Sequence, residues 1–232
     1  MIDKIIKTLQ KVRAVIMKRL RPVDAYFLSK SLQPISTRYG FDRGTPIDRV
    51  YIDQFLSENS NLITGRCLEV VDPTYINKFG TNVTHPEVID NDAKSKIATI
   101  IADLRDMKGV DSNSFDCVLI THTFGMIYDY EVAIKECHRI LKPGGHLLVT
   151  MSCFSPIYTN DDANFWRFTP ASAKKAFGKF FTDFIVKTYG NCLTGYSFWV
   201  GMAAEELESK ALKFNDPRFP LIVTVKARKG KK

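Results

Sequence analysis

Ile2, Ile5, Ile6, Leu9, Val12, Ile16 and Leu20 recur at helical spacing, and charged residues fill most positions between them. The spacing predicts an amphipathic helix over the first 21 residues. A loop-rich stretch punctuated by Gly40, Gly44 and Pro46 follows, and Pro46 suits the first turn of a helix carrying Ile47, Val50, Tyr51, Phe55 and Leu56. From there the apolar runs shorten to strand length and alternate with helical patterns. RCLEVVD (66–72), TNVTHPEVI (81–89), KIATIIADL (96–104) and SFDCVLITHTF (114–124) read as four strands. YDYEVAIKECHRILKPGG is a helix closed by Pro143 and the two glycines after it, and HLLVTMSC (146–153) is a fifth strand. A helix over 170–180, a strand in FTDFIVKTYGN, a helix around 198–212 and a strand in PLIVTVKARK complete the pattern. Strands alternating with helices predict an α/β fold: a doubly wound, mostly parallel sheet of seven strands covered on both faces, with an N-terminal helical extension.

The 232 residues, 45% hydrophobic and 25% charged, suffice for one large α/β body. Residues 1–60 are expected to form the helical extension and a covering loop–helix segment, and residues 61–232 the main domain. No run of about 18 apolar residues occurs, and lysines and arginines interrupt each candidate signal core, so a cytoplasmic location is expected. The five cysteines show no C-x-x-C spacing. Cys67, Cys117 and Cys153 lie within or beside apolar runs, where a thiol behaves as a small hydrophobe, which fits a reducing compartment and disfavours structural zinc.

Charge is unevenly placed. The net +8 comes from the two ends: residues 1–21 carry seven basic side chains against Asp3, and the tail from Lys226 adds five more. The body between them is about −3, which argues against a nucleic-acid-binding face. The basic amphipathic start suits an anionic membrane surface, on the inner face of the membrane, where each basic residue contributes about 1 kcal/mol. Packing of its apolar stripe on the domain, or across a homodimer contact, is the other reading.

The stretch from Ser114 to Gly145 is the most specific. S-F-D-C-V-L-I-T-H-T-F, then a helix, then R-I-L-K-P-G-G-H-L-L-V-T resembles the fourth strand, following helix and fifth strand of class I S-adenosylmethionine-dependent methyltransferases, with their Rossmann-like fold. More widely the chain resembles methyltransferase-like proteins associated with bacterial surface-glycan synthesis. That resemblance runs over Arg38–Asp53, Gly65–Gly80, Ala102–Thr150 and Asn164–Phe181 with F-W-R-F-T-P-A-S-A, and over A-A-E-E-L and N-D-P-R-F-P-L-I-V-T-V near the end. It implies S-adenosylmethionine as cofactor, methyl transfer as the reaction, and a sugar or lipid-linked glycan precursor as acceptor. One element departs from the pattern. Where most such enzymes have G-x-G-x-G after the first strand, this chain has Glu69-Val70-Val71-Asp72-Pro73-Thr74-Tyr75, in which Asp72, Thr74 and Tyr75 fit a D-x-T-Y subgroup.

In open α/β sheets, ligand-binding groups sit at the carboxyl ends of strands. Glu69 and Asp72, ending the first strand, are candidates for the cofactor's amino group. The resemblance assigns the ribose to an acid after the second strand, where Glu87, Asp90 and Asp92 compete, and the adenine to Asp103 and Leu104. Thr121 and His122, ending the fourth strand, lie where donor and acceptor would meet. His122 is the candidate base, since imidazole titrates near neutrality. Arg38, Asp42, Arg43, Thr45 and Arg49 crowd a tight turn that suits a carboxylate or phosphate, or forms an ordinary salt-bridged loop. Arg43 is counted with the cofactor and Arg38 with the substrate, on the view that a loop arginine carries little core packing. Trp166 and Arg167 offer an aromatic–arginine surface for the acceptor. The scattered histidines show no metal spacing. Two functional readings stand: an O-methyltransferase, and a catalytically inactive methyltransferase-like scaffold in a glycan-synthesis complex, which the missing glycines favour.

Overall fold

A computed structural model describes residues 31–157 and 163–231; the helix expected over residues 1–21 lies outside them. The chain forms two compact units. Among the described residues, the larger comprises 52–153, 157, 163–188 and 222–231, and the smaller 31–51, 154–156 and 189–221.

The seven-stranded sheet runs in the order β3-β2-β1-β4-β5-β7-β6. Its strands are β1 (Gly65–Val70), β2 (Val83–Asp90), β3 (Ile100–Ile101), β4 (Phe115–Thr121), β5 (Leu141–Ser152), β6 (Asp183–Tyr189) and β7 (Ile222–Arg228). β1 to β5 pair in parallel, and β7 returns antiparallel to β5. This is the expected doubly wound fold, with one antiparallel strand near its edge. The central strands are covered on both faces, so β4 buries Cys117, Val118, Leu119 and Ile120 in succession and reads as an unbroken apolar run. β6 is the last strand on its side, and its residues mostly alternate between exposed and half-buried.

Three elements differ from the expected ones. The third strand shrinks to two residues, because β3 meets the sheet only through Ile89–Ile100 and Asp90–Ile101. The helix after β4 ends at Ile140, where Leu141 turns extended (ψ 138), so Pro143 and its glycines lie in β5 instead of stopping the helix. Lys142, preceding proline, disfavours the helical region, and the β4–β5 register is irregular across this stretch. Gly145 is needed there: a Cβ would lie 3.0 Å from the Phe115, Asp116 and Lys142 carbonyl oxygens. The helix expected around 198–212 is instead two short helices separated by a 3-10 turn.

In chain order the helices are α1 (Ile47–Glu58), α2 (Thr74–Phe79), α3 (Tyr130–Ile140), α4 (Pro170–Phe177), α5 (Cys192–Trp199) and α6 (Ser209–Lys213). α3 turns Ala133, Ile134, Cys137 and Ile140 inward. α5 begins about six residues before the expected start near 198, because Asn191 and Thr194 exchange hydrogen bonds as a capping box. It ends before Gly201, whose φ of 80 and close approach to the Ser36 carbonyl exclude a side chain.

Within the smaller unit, Pro46 bridges Ala203, and the Ala204 N–H donates to the Thr45 carbonyl at 2.8 Å. Among the described residues no helix is long and apolar enough to cross a membrane.

Candidate active site

The carboxyl ends of β1, β2 and β4 share one edge of the larger unit's sheet. β1 is flanked by β2 on one side and β4 on the other, so the connections diverge there, which is where α/β sheets open a crevice.

The turn after β1 is the most unusual part. Val71 has φ 72, its N–H donates to the Ile89 carbonyl, and the Asp72 N–H donates back to Val70, both at 2.9 Å. The result is a γ-turn in left-handed backbone, centred on a β-branched residue for which that conformation costs about 1–3 kcal/mol. Glycine's usual backbone geometry is thus kept without glycine. The turn is held by Glu69, only 2% exposed. Its carboxylate accepts the Tyr75 N–H at 3.0 Å and the Ile76 N–H at 2.8 Å. Asp72 accepts the Thr74 N–H at 2.9 Å. Both oxygens of Glu69 therefore serve the start of α2, and the residue positions the turn rather than offering an open carboxylate to a ligand. Asp72, Thr74 and Tyr75 remain on the outer side of the turn, half-buried or exposed.

Burial pushes the Glu69 carboxyl up to about 7 from its ordinary 4.5, with Asp72 adding to the rise and the two N–H bonds opposing it. Because the folded value lies above the unfolded one, the folded protein holds the extra proton between the two. The associated stability is complete below about pH 4.5 and is lost as pH rises through about 7, up to about 3 kcal/mol. Melting temperature should accordingly fall across that window, and Glu69→Gln should flatten the fall. An unchanged slope in the variant would assign the effect elsewhere.

The three acids competing after β2 separate by position. Glu87 lies three residues before the strand end and is ion-paired to Arg66, Nε to Oε1 at 2.5 Å. Asp92 lies in an exposed turn and accepts the Lys94 N–H. Asp90 ends β2 and is half-buried, closing a small turn with the Asp92 N–H at 3.0 Å. Asp103 follows β3, its carboxylate gripped by Arg105, which holds it below the usual carboxylate range. Leu104 beside it is buried.

At the ends of β4 and β5, Thr121 pairs with Thr150 across the strands. His122 follows in left-handed backbone, φ 52, with its N–H on the Thr150 carbonyl at 2.8 Å. Its Nδ1 lies 3.0 Å from Ser152 Oγ, so the two strand ends present an imidazole steadied by a hydroxyl. Ser152 was not singled out in the sequence, although its place at the end of β5 marks it by the strand-end rule.

The segment with Trp166 and Arg167 is pinned beside this pair. The Phe165 and Trp166 N–H groups donate to the Gly125 carbonyl at 3.0 Å, and the Phe168 N–H donates to the Ser152 carbonyl at 2.8 Å. Trp166 Nε1 donates to the Tyr128 carbonyl. The rings of Tyr128, Tyr130, Phe165 and Trp166 lie 5.4–5.8 Å apart in edge-on and tilted contacts. With Tyr128, Phe165 and Trp166 exposed, they make an aromatic shelf. Arg167 hydrogen-bonds the Trp166 carbonyl at 2.9 Å. The two tyrosines were also missed, because only the tertiary fold brings their rings to Trp166.

Arg38 and Arg43 belong to the smaller unit. Arg38 is exposed. Arg43 is buried and fork-bonded to Glu206, Nε to Oε2 at 2.9 Å. It carries packing and an ion pair of the unit's own interior, which overturns the expectation that a loop arginine would not. Among the described residues no three His, Cys, Asp or Glu side chains gather as a metal site.

Residues 64–149 match the family described as a methyltransferase domain. A stretch of 74 residues is 34% identical to a ubiquinone/menaquinone biosynthesis C-methyltransferase UbiE of Saccharophagus degradans, covering 32% of this chain and 29% of that one. The match thus spans under a third of that relative's length. Among solved structures, an S-adenosylmethionine-dependent methyltransferase from Archaeoglobus fulgidus superposes with a TM-score of 0.55 at 14% identity, over 89% of this chain and all of that one. One from Mesorhizobium loti gives 0.54 at 15% identity, over 79% and 100%. At such identities these structures speak for the fold alone. The donor set also suits the cofactor: acids at the ends of β2 and β3, and a tight turn after β1. The sheet thus has the fold of these methyltransferase structures, and the cofactor implied by the methyltransferase-domain match over residues 64–149 is S-adenosylmethionine.

Proposed function

We propose that this chain methylates a hydroxyl group of a sugar or glycan precursor. The observation that carries the reading is the His122–Ser152 pair at the ends of β4 and β5, beside the aromatic shelf. When bound, S-adenosylmethionine supplies an electrophilic methyl group; the protein's part is to place the acceptor and take its proton. Asp90 is the acid for the cofactor's ribose, Asp103 and Leu104 flank its adenine, and Asp72, Thr74, Tyr75 and Thr121 line the remainder. The hydrogen bond shared by His122 Nδ1 and Ser152 Oγ fixes the imidazole, the group assigned to accept the hydroxyl proton. A sugar has a flat apolar face and a hydroxyl rim, which suits rings such as Trp166 and Phe165 with Arg167 alongside.

Calorimetric titration with S-adenosylmethionine tests the base of this reading. Saturable binding is expected, and Asp103→Ala should weaken it by about tenfold, the worth of one good hydrogen bond. Asp92→Ala, in an exposed turn, should leave it unchanged. Absence of binding at millimolar ligand would instead mark the chain as a methyltransferase-like scaffold, consistent with its glycine-free turn.

A further inference from the structure

We propose that the outward face of α5 docks on a membrane surface of anionic phospholipid, acting together with the basic first 21 residues. The helix is built inside out. Its inward positions hold the small residues Thr194, Gly195 and Ser197 along with Phe198, while Leu193, Tyr196 and Trp199 project outward with 51%, 38% and 46% of their surface exposed. These three recur at intervals of three, so they lie along one side. α5 contains no charged residue. The Trp199 ring stacks on the exposed Phe154 with centroids 4.5 Å apart, extending the strip by a further ring.

The strip continues at both ends of the helix. At its start, Asn191 Nδ2 donates to the Ala211 and Phe214 carbonyls, which brings exposed Phe214 and its neighbour Lys213 to the same end. At its finish, the Val200 carbonyl accepts the Ile35 and Ser36 N–H groups at 2.8 and 3.3 Å, so the chain leading back to the N-terminal segment departs from there. Leu32, on that lead, is almost fully exposed. Arg21 lies 14 positions before Ile35 in the chain, so the tether from the basic segment to this end of the strip reaches at most about 50 Å.

Charge decides the occupant. Seven lysines and arginines against one aspartate crowd the first 21 residues. A second copy seated on the strip would bring two such segments together, like charge on like charge. An anionic lipid surface attracts both the segment and Lys213, and it accepts tryptophan and tyrosine at headgroup level, where their mixed apolar and polar character is favoured. Neither signal suffices alone, since stable peripheral attachment needs two.

Fluorescence and co-sedimentation with vesicles test this on the full chain. The protein has two tryptophans, so a Trp166→Phe background leaves Trp199 as the reporter. Vesicles of phosphatidylcholine containing phosphatidylglycerol should bind the protein at least tenfold more tightly than phosphatidylcholine alone. Binding should shift Trp199 emission to the blue and weaken severalfold with added salt. Trp199→Glu and Leu193→Glu should each lower binding tenfold or more while leaving the melting temperature and S-adenosylmethionine binding intact. Vesicle binding with unmoved Trp199 emission would overturn the proposal by assigning attachment to the basic segment alone. No binding to anionic vesicles would overturn it outright. So would a dimer in sedimentation that Trp199→Glu dissociates, because the face would then belong to a second copy.

Discussion

Arg43→Ala should destabilise the protein by about 3–5 kcal/mol and lower its melting temperature by about 10 °C or more. The guanidinium is buried and forks onto Glu206, whose side chain is itself only slightly exposed. Glu206 also accepts the Ala203 N–H at 2.9 Å, and truncating the arginine strips a little-exposed carboxylate of its charge partner. Breaking such a pair from one side costs far more than removing both charges. The double variant Arg43→Met, Glu206→Gln should therefore recover most of the loss. Denaturant unfolding of the two single variants and the double closes the cycle. If Arg43→Ala instead unfolds at the wild-type midpoint and loses only ligand affinity, Arg43 is a ligand-binding arginine and the buried pair is energetically idle.

His122→Ala should lower methyl transfer by about 10²–10⁴-fold, the range a positioned general base contributes. S-adenosylmethionine affinity should change little, because the imidazole is assigned to the acceptor's proton and not to the cofactor. The same substitution should remove the limb of the pH–rate profile that reports the base. Ser152→Ala should fall between, since its hydroxyl 3.0 Å from Nδ1 orients the ring without taking the proton. Ser152→Thr, which keeps a hydroxyl, should restore more of the rate than alanine does. If His122→Ala turns over with an unaltered pH profile, the proton leaves by another route, and a carbon acceptor becomes the better reading. His122 follows β4 and Ser152 ends β5, and neither side chain belongs to the hydrophobic core of the sheet, so loss of fold is not the expected cause.

Much of this molecule follows from local pattern. β1, β4 and β5 are legible because a strand buried on both faces must be apolar throughout, and Leu68, Val118 and Leu148 lie in such runs. The alternation of strands and helices selects the doubly wound sheet; the strand-end rule brings Thr121 and His122 forward as candidates, and the methyltransferase resemblance adds Asp103 and the competing acids Glu87, Asp90 and Asp92. A helix pattern cannot say where the helix stops when proline and glycine serve equally well in a strand, which is why Pro143 misled.

What the tertiary structure decided depends on partners far away in the chain. Glu206 lies 163 residues from Arg43, and no local signal identifies that pair or makes the arginine structural. The Glu87 carboxylate is taken by Arg66 on the neighbouring strand, a pairing that the local sequence does not announce. The left-handed Val71 is fixed by its N–H bond to Ile89 of β2 and by the Asp72 N–H bond back to Val70 of β1, against its own preference. Ser152 reaches His122, and Tyr128 reaches Trp166, only once the strand ends are side by side. The sequence by itself determined the architecture and the edge of the sheet that carries the chemistry, because burial pattern and chain order are local. The roles of individual side chains at that edge were set by long-range pairing, which no window along the chain contains.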